Sequence, residues 1–188
     1  EDNRMDTQKH ESGLLAHSPE FTSLRFADEH LPLGDFSIEE KMMEYLDGYS
    51  YGELRSYHIH EQAVKFLPQV DKILRSYGIP ADFKYIPLIE SGFTGDATSH
   101  KGASGYWQFM PETARAYGLT VDEELDERQD LVKSTHAVAK YLQALYKEFD
   151  SWTLVAAAYN VGSGSLQKAI DRQGEDNYFR LKLNKETG

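Results

Sequence analysis

The sequence of 188 residues contains no cysteine. This absence excludes disulfide bonds, thiolate metal sites and a cysteine nucleophile. No apolar run approaches the roughly 20 residues that a membrane-spanning helix needs, so no transmembrane segment is predicted in this sequence. The first residues, from Glu1, do not resemble a signal peptide, and we expect any targeting segment or lipid-bearing cysteine to lie outside this sequence.

Positive charge is scarce, with 20 Lys and Arg against 31 Asp and Glu and a formal net charge of −11. Because nucleic-acid phosphates and anionic lipid surfaces favour basic partners, this balance argues against both. A glycan partner is compatible with it. The content of 40% hydrophobic and 27% charged residues is ordinary for a globular domain with a core of its own.

Hydrophobic residues recur mainly at helical spacing, and no segment alternates convincingly with a period of two. We therefore predict a mainly α fold. Residues 1–35 are polar and irregular and are predicted to form an N-terminal extension or linker, with a strap packed on the domain as the alternative. Residues 36–188 are predicted to form the domain, beginning with a helix that Ser37 and Glu40 cap.

Caps and helix breakers predict where the other helices begin and end. Pro68 predicts a kink or a restart within one helix, and Pro87 predicts a bend close to Glu90. The predicted boundaries are Gly78 after the first of these helices, Pro111 and Gly118 around a short helix, Asp130 at the start of the longest helix, and Ser151 at the start of a nearly all-apolar one.

The stretch from residue 86 to residue 111 carries the strongest chemical signal. An apolar run presents Glu90 at a Ser-Gly break, and apolar surroundings raise the pKa of a carboxyl group so that it can hold a proton near neutral pH. A loop rich in Gly, Ser and Thr follows, and then the segment from Tyr106 to Met110. Aromatic rings stack on sugar faces, and the Gln108 amide can bond ring substituents. The pattern predicts acid catalysis on a carbohydrate.

Glycosidases ordinarily use two carboxylates, and Asp96 is the nearest candidate for the second. We favour an Asx turn or a solvated loop residue for Asp96. A single acid–base residue then needs its nucleophile from water or from the substrate itself.

No metal or cofactor site is predicted. His58 and His60 point to opposite sides of a helix, and no Asp or Glu completes a metal signature with them. His100 is expected to be solvated. The acidic segment of residues 122–130 lacks the alternating Asp and Asn pattern of an EF-hand, so a solvated connection is favoured over calcium binding.

An ordered set of motifs resembles the soluble lytic transglycosylase catalytic domain, and within that family the membrane-bound D-type subgroup. The resemblance covers roughly residues 60–170, with the core motifs within residues 80–170, and implies a lysozyme-like fold with a cleft between helical lobes. Tyr106 stands where the family commonly has leucine. The motifs are Glu90-Ser91 with Phe93, Gly102-Ala103 with Gly105, residues 107–111, Thr113-Ala114 and residues 158–162.

This resemblance implies an enzyme, a peptidoglycan lytic transglycosylase that cleaves the β-1,4 bond between N-acetylmuramic acid and N-acetylglucosamine without water. Glu90 acts first as acid and then as base and leaves a 1,6-anhydro end. No cofactor is needed. The implied location is the bacterial cell envelope, in the periplasm, and a lipid anchor to the outer membrane on a removed N-terminus stays open. The implied substrate contacts are Ser91, Gln108, Phe109, Met110, Tyr159 and Asn160.

Several alternatives stay open at the level of sequence. A goose-type lysozyme-like muramidase would share Glu90 and add water, and a catalytically silent module would bind peptidoglycan only. Trp107 is equally compatible with a packing anchor and a stacking platform, and Tyr159 and Asn160 could instead satisfy backbone groups. Residues 185–187 match the stretch before a final Tyr-bearing helix in the resembled subgroup, and we expect that helix to lie beyond Gly188.

Overall fold

Helices dominate the part of the chain that the computed structural model describes, which comprises residues 24–32, 38 and 55–183. The predicted mainly α class is confirmed. The chain divides into two units, Glu1–Tyr51 and Gly52–Gly188, and the candidate site lies within the second. Most of the predicted extension and the helix predicted from Ser37 fall outside the described residues, and those boundaries stay predictions.

A short antiparallel hairpin occupies the described part of the first unit. Its strands are β1, Arg25–Phe26, and β2, Glu29–His30, with Arg25 opposite His30. Ala27 and Asp28 form the turn with φ of 51° and 66°. The sequence analysis expected irregular structure here. Two-residue strands are too short for an alternating pattern, and the turn lacks the glycine that usually marks such hairpins.

The second unit consists of helices joined by short turns. Among the described residues, no helix is both long and apolar enough to cross a membrane. The helices are α1 (Arg55–Ser76), a 3-10 helix (Ala81–Tyr85), α2 (Ile86–Ser91), α3 (Pro111–Ala116), a second 3-10 helix (Glu127–Gln129), α4 (Leu131–Phe149), α5 (Trp152–Val161) and α6 (Ser163–Gln173).

Helix α4 is the centre of the core, because α1, α3 and α5 all pack against it and α6 packs against α5. Aliphatic side chains are buried where these helices pack together, and their burial supplies the main favourable free energy of folding. Fully or almost fully buried side chains include Val70 and Leu74 of α1, Val138, Leu142 and Leu145 of α4, Val155 and Ala158 of α5, and Leu166 of α6.

The predicted caps of α4 and α5 are confirmed. The Asp130 carboxylate accepts a hydrogen bond from the Lys133 amide at 2.9 Å, and the Ser151 hydroxyl accepts one from the Leu154 amide at 3.3 Å. Gly78 follows α1 with φ of 71°, as expected of a helix-ending glycine. The expectation that Asp130 begins the longest helix is wrong among the described helices, since α1 has 22 residues and α4 has 19.

Pro68 and Pro87 differ in how they fit the sequence prediction. Pro68 lies inside α1, which continues through it, so the predicted restart is wrong and the predicted kink stays a prediction. Pro87 lies in the first turn of α2, where a missing amide hydrogen costs nothing, so it begins this helix instead of bending a longer one.

Aromatic packing fixes the segment that leads to Glu90. The ring of Trp152 at the start of α5 stacks on Tyr146 of α4 with centroids 4.2 Å apart. The same ring also meets the buried Phe83 of the first 3-10 helix in an edge arrangement, with centroids 5.2 Å apart. Because that 3-10 helix runs directly into α2, the core determines where α2 starts.

Candidate active site

Glu90 lies in the last turn of α2, and the next residue but one, Gly92, ends the helix. Gly92 adopts φ of 60°, and its amide donates to the Leu88 and Pro87 carbonyls. Glu90 is partly buried and makes no ion pair within residues 55–183. Burial raises the pKa of Glu90, since removal from water disfavours the charged form. The predicted direction of the pKa shift is confirmed.

The direction of this shift separates Glu90 from the other carboxyl groups that the structure describes. Where a shift is resolved elsewhere, at Asp71, Asp126 and Glu127, the pKa is lowered, because each carboxylate bonds a cation. A carboxyl group that is desolvated and has no cationic partner is suited to donating a proton. Among the four carboxyl groups with a resolved shift, only Glu90 is desolvated and has no cationic partner.

Ser91, the residue after Glu90, connects α2 to the segment from Tyr106 to Met110, which we call the aromatic segment. Its hydroxyl donates to the Pro87 carbonyl at 3.0 Å, within α2, and to the Tyr106 carbonyl at 2.8 Å, across the loop. The single hydroxyl proton is therefore shared by two backbone acceptors. The resemblance implied a substrate contact for Ser91, whereas these two bonds to backbone carbonyls suit a role in positioning Glu90.

Tyr159 of α5 binds the neighbouring peptide. Its hydroxyl donates to the Trp107 carbonyl at 2.6 Å. Burial, the Glu90 charge and Tyr141 together raise the pKa of Tyr159 well above its ordinary value. Two successive carbonyls, of Tyr106 and Trp107, thus accept hydrogen bonds from hydroxyl groups on two different helices.

Trp107 is a packing anchor. Its side chain is 0% exposed, and its indole nitrogen donates to the Thr135 hydroxyl of α4 at 3.0 Å. A fully buried ring offers no face to a sugar, so the stacking alternative is excluded for Trp107. The anchor instead fixes the aromatic segment to the central helix.

Gln108 adopts a strained conformation within a tight turn. Its φ is 48°, which is unusual for a residue with a side chain. The side-chain amide nitrogen, Nε2, donates to the carbonyls of Ala97 and Gly105, both at 3.0 Å. Isolated antiparallel β-bridges pair Ser104 with Thr98 and with Phe109. We call residues 102–109 the Gln108 turn.

The remaining predicted contacts divide by exposure. Phe109 is buried and packs against Tyr141, with ring centroids 5.6 Å apart. Met110 is 40% exposed, and Asn160 is exposed in the last turn of α5. Asn160 does not cap that helix, whose cap is Gly162. Asp96 is exposed in the loop after α2 and lies outside the apolar setting of Glu90.

Sequence reasoning missed Arg128 and Asp126. Arg128 is buried, and its guanidinium donates to both Asp126 carboxylate oxygens, at 2.8 and 2.6 Å. Its remaining terminal nitrogen donates to the carbonyls of Gly102 at 2.8 Å and Phe109 at 2.9 Å, at the two ends of the Gln108 turn. The surrounding acidic residues made this segment look solvated, and no sequence signal distinguishes a buried arginine within it.

The acidic segment of residues 122–130 is ordered by contacts within the protein. Asp122 accepts from the amides of Glu124 and Leu125, Glu127 pairs with Lys133, and Asp130 caps α4. Residues 122–125, 129 and 130 are exposed, so the prediction of a solvated connection is confirmed for them, and it is wrong for the buried Arg128. Within the described part of the chain, no group of three or more His, Cys, Asp or Glu residues could hold a metal ion.

Comparison with known proteins identifies the family. The family model described as the transglycosylase SLT domain matches residues 70–181, which include the whole of the site described above. The chain belongs to this family. The resemblance seen in the motifs is thereby confirmed, and the helical architecture is that of the lysozyme-like SLT domain.

Individual relatives agree with the family match. Membrane-bound lytic murein transglycosylase D of Escherichia coli (strain K12) is 35% identical over 158 residues, covering 80% of this chain and 33% of that protein. Membrane-bound lytic murein transglycosylase F of Pseudomonas putida (strain W619) is 30% identical over 136 residues, covering 68% and 26%. The SLT chain spans about a third of the length of the first of these relatives.

Proposed function

We propose that this SLT domain is a peptidoglycan lytic transglycosylase. The observation that carries the proposal is Glu90, whose pKa is raised by burial and which has no cationic partner among the described residues. The names of the relatives, lytic murein transglycosylases, supply the substrate class. The substrate is then the glycan strand of peptidoglycan.

The first step uses Glu90 as a general acid. Its proton passes to the oxygen that links N-acetylmuramic acid to N-acetylglucosamine, and the bond from that oxygen to C1 of the muramoyl sugar breaks. The released N-acetylglucosamine keeps the proton as a hydroxyl group. The raised pKa supports this step, because it leaves more of the acid form available toward neutral pH.

The second step uses the same residue as a base. The Glu90 carboxylate removes the proton from the C6 hydroxyl of the muramoyl sugar, and that oxygen bonds to C1. The product is a 1,6-anhydro end, no water is consumed, and Glu90 regains its proton. One residue suffices because the two proton transfers occur in sequence. The exposed position of Asp96, away from any apolar support, is consistent with a reaction that needs no second carboxylate.

We assign two kinds of supporting role to the other residues. Met110, Asn160 and the amide oxygen of Gln108 contact the glycan, because the Gln108 nitrogen is occupied and the other two side chains are exposed. Ser91 and Tyr159 hold the aromatic segment beside Glu90, since their hydroxyl protons bond backbone carbonyls. Phe109 supports the turn from within the core.

We place this activity in the bacterial cell envelope, on the periplasmic side where peptidoglycan lies. The relatives whose names include "membrane-bound" support an envelope location. Attachment to the outer membrane through a lipid on a longer N-terminus belongs to the same proposal.

Digestion of purified peptidoglycan tests the proposal. The parent protein should release muropeptides with 1,6-anhydromuramoyl ends, detected by mass spectrometry, and Glu90→Gln should release almost none. Intact glycan strands after prolonged incubation with the parent would leave only a binding function.

A further inference from the structure

The guanidinium of Arg128 lies between the two ends of the Gln108 turn. One terminal nitrogen donates to the carbonyl oxygens of Gly102 and Phe109, and these two residues bracket Gln108 and Trp107. The opposite edge of the guanidinium donates two hydrogen bonds to the carboxylate of Asp126. We propose that Arg128 and Asp126 are a positioning pair that holds the Gln108 turn in register with Glu90. This inference deepens the proposed function and rests on it for its catalytic consequence.

The turn requires an external support because its own backbone is strained. Gln108 has φ of 48°, a conformation that costs on the order of 1–3 kcal/mol unless the surroundings enforce it. The turn also approaches Arg128 very closely, since a Cβ atom added to Gly105 would collide with the Arg128 carbonyl. Only glycine fits at position 105 while the backbone of residue 128 lies this close.

Displacement of the turn would be transmitted to Glu90 through short hydrogen bonds. The Tyr106 carbonyl inside the turn accepts from Ser91, the residue next to Glu90. The next carbonyl, of Trp107, accepts a hydrogen bond from Tyr159, and the Glu90 charge is one cause of the raised pKa of Tyr159. Because small misplacements of catalytic groups cost large factors in rate, a loosened turn should impair catalysis even though Arg128 touches no substrate.

Asp126 orients the arginine. Its carboxylate accepts from the side chain of Arg128 at two points and also from the Arg128 amide at 3.1 Å. The hydrogen bond from Arg128 is the largest cause that lowers the pKa of Asp126. A lysine at position 128 would keep the charge but could not bond the carboxylate and both carbonyls at once, because it lacks the planar fork of arginine.

Hydrogen–deuterium exchange and steady-state kinetics on the same variants test the positioning role. The variants are Arg128→Lys and Asp126→Asn, and the matched control is Lys133→Gln. The control removes the neighbouring ion pair between Lys133 and Glu127, which makes no contact with the turn. Kinetics use purified peptidoglycan, with Glu90→Gln as the inactive reference.

We expect faster exchange of the Gln108 turn amides in both pair variants, with α4 exchange unchanged, and a fall in kcat of roughly 10- to 100-fold. The control should match the parent in both measurements. Uniformly faster exchange that includes α4 would mean a general stability role and would overturn the proposal. Unchanged turn exchange, or a loosened turn with parental kcat, would overturn it as well.

The two proposals fail in different ways. If the parent protein does not cleave peptidoglycan, the proposed function fails, and the exchange pattern by itself still decides whether the pair holds the turn. If the parent cleaves peptidoglycan and the pair variants equal it in exchange and kcat, the proposed function stands and the positioning role of Arg128 is wrong.

Discussion

The hydroxyl of Tyr159 donates a 2.6 Å hydrogen bond to the carbonyl of Trp107, one peptide unit after the carbonyl that accepts from Ser91. Helices α2 and α5 are thereby joined to the same short segment. These hydrogen bonds run from side-chain hydroxyl groups to backbone carbonyls, and they hold the end of α2, where Glu90 lies.

Removal of the Glu90 carboxyl should separate catalysis from stability. Glu90→Gln keeps the size of the side chain but can neither donate nor accept the catalytic proton, so turnover should fall by at least roughly a hundredfold. Stability should stay the same or rise, because a partly buried carboxylate is replaced by a neutral amide. Chemical denaturation and peptidoglycan turnover on the same preparation measure both. Near-parental turnover would remove Glu90 from the mechanism.

The pH dependence of that stability difference follows from the raised pKa. Above the ordinary value of 4.5, folded Glu90 binds more protons than unfolded Glu90, so its favourable contribution is full below that value and is lost as pH rises through the folded pKa. The stability of Glu90→Gln relative to the parent should therefore increase as pH rises through this window. Urea unfolding at a series of pH values measures the trend, and the opposite slope would contradict burial as the cause.

Asp126 should show the reverse dependence. Its pKa is lowered, chiefly by the hydrogen bond from Arg128, so the stability it contributes is present above the ordinary value of 3.8 and is lost as pH falls through the folded pKa. Acid should consequently destabilise the parent more steeply than Asp126→Asn. Thermal unfolding followed from neutral to acidic pH tests this, and parallel acid profiles for the two proteins would speak against the pair.

Loss of the Tyr159 hydroxyl should destabilise the protein. Tyr159→Phe leaves the Trp107 carbonyl without its donor, at a cost of about 1–3 kcal/mol if that oxygen stays unpaired. Tyr117→Phe is the matched control, since Tyr117 is also partly buried and packs on Tyr141, and its hydroxyl makes no hydrogen bond to the described residues. Equal unfolding free energies for the two variants would show that the Tyr159 bond contributes nothing.

The two amide side chains should respond differently to truncation. Gln108→Ala removes the donor to the carbonyls of Ala97 and Gly105, so it should lower both stability and activity. Asn160→Ala should leave stability unchanged, because Asn160 is exposed, and should weaken glycan binding by roughly 1–3 kcal/mol if a bonded partner is left unpaired. Thermal unfolding and binding to soluble glycan fragments measure the two effects. An Asn160→Ala variant with parental binding would leave Asn160 without a role in the site.

The sequence predicts the candidate site but not what some of its residues bond. The raised pKa of Glu90 was predictable because an apolar run beside a Ser-Gly break is a local pattern that raises a carboxyl pKa. The alternative that Tyr159 satisfies a backbone group was open from the sequence, but the particular acceptors of Ser91 and Tyr159 were not predictable, because they are backbone carbonyls 15 and 52 residues away. A backbone acceptor has no identity in the sequence.

Arg128 illustrates the same limit more sharply. It lies in a run of acidic residues, and such a run is usually solvated, yet the fold buries it against carbonyls 19 and 26 residues earlier. The fold class and the main helix caps followed from periodicity and from local capping chemistry. The hairpin at residues 25–30 did not, because two-residue strands are shorter than any periodic signal.

The central claim is that one carboxyl group and the C6 oxygen of the substrate suffice for cleavage, and digestion of peptidoglycan in heavy-oxygen water tests it most directly. A hydrolase must bring in a water molecule, and an inverting one needs a base about 6.5–9.5 Å from the acid. The account predicts unlabelled 1,6-anhydromuramoyl ends that are one water lighter than hydrolytic ends, and an unchanged rate for Asp96→Asn. Labelled reducing ends, together with an inactive Asp96→Asn variant, would contradict it and indicate a lysozyme-like hydrolase.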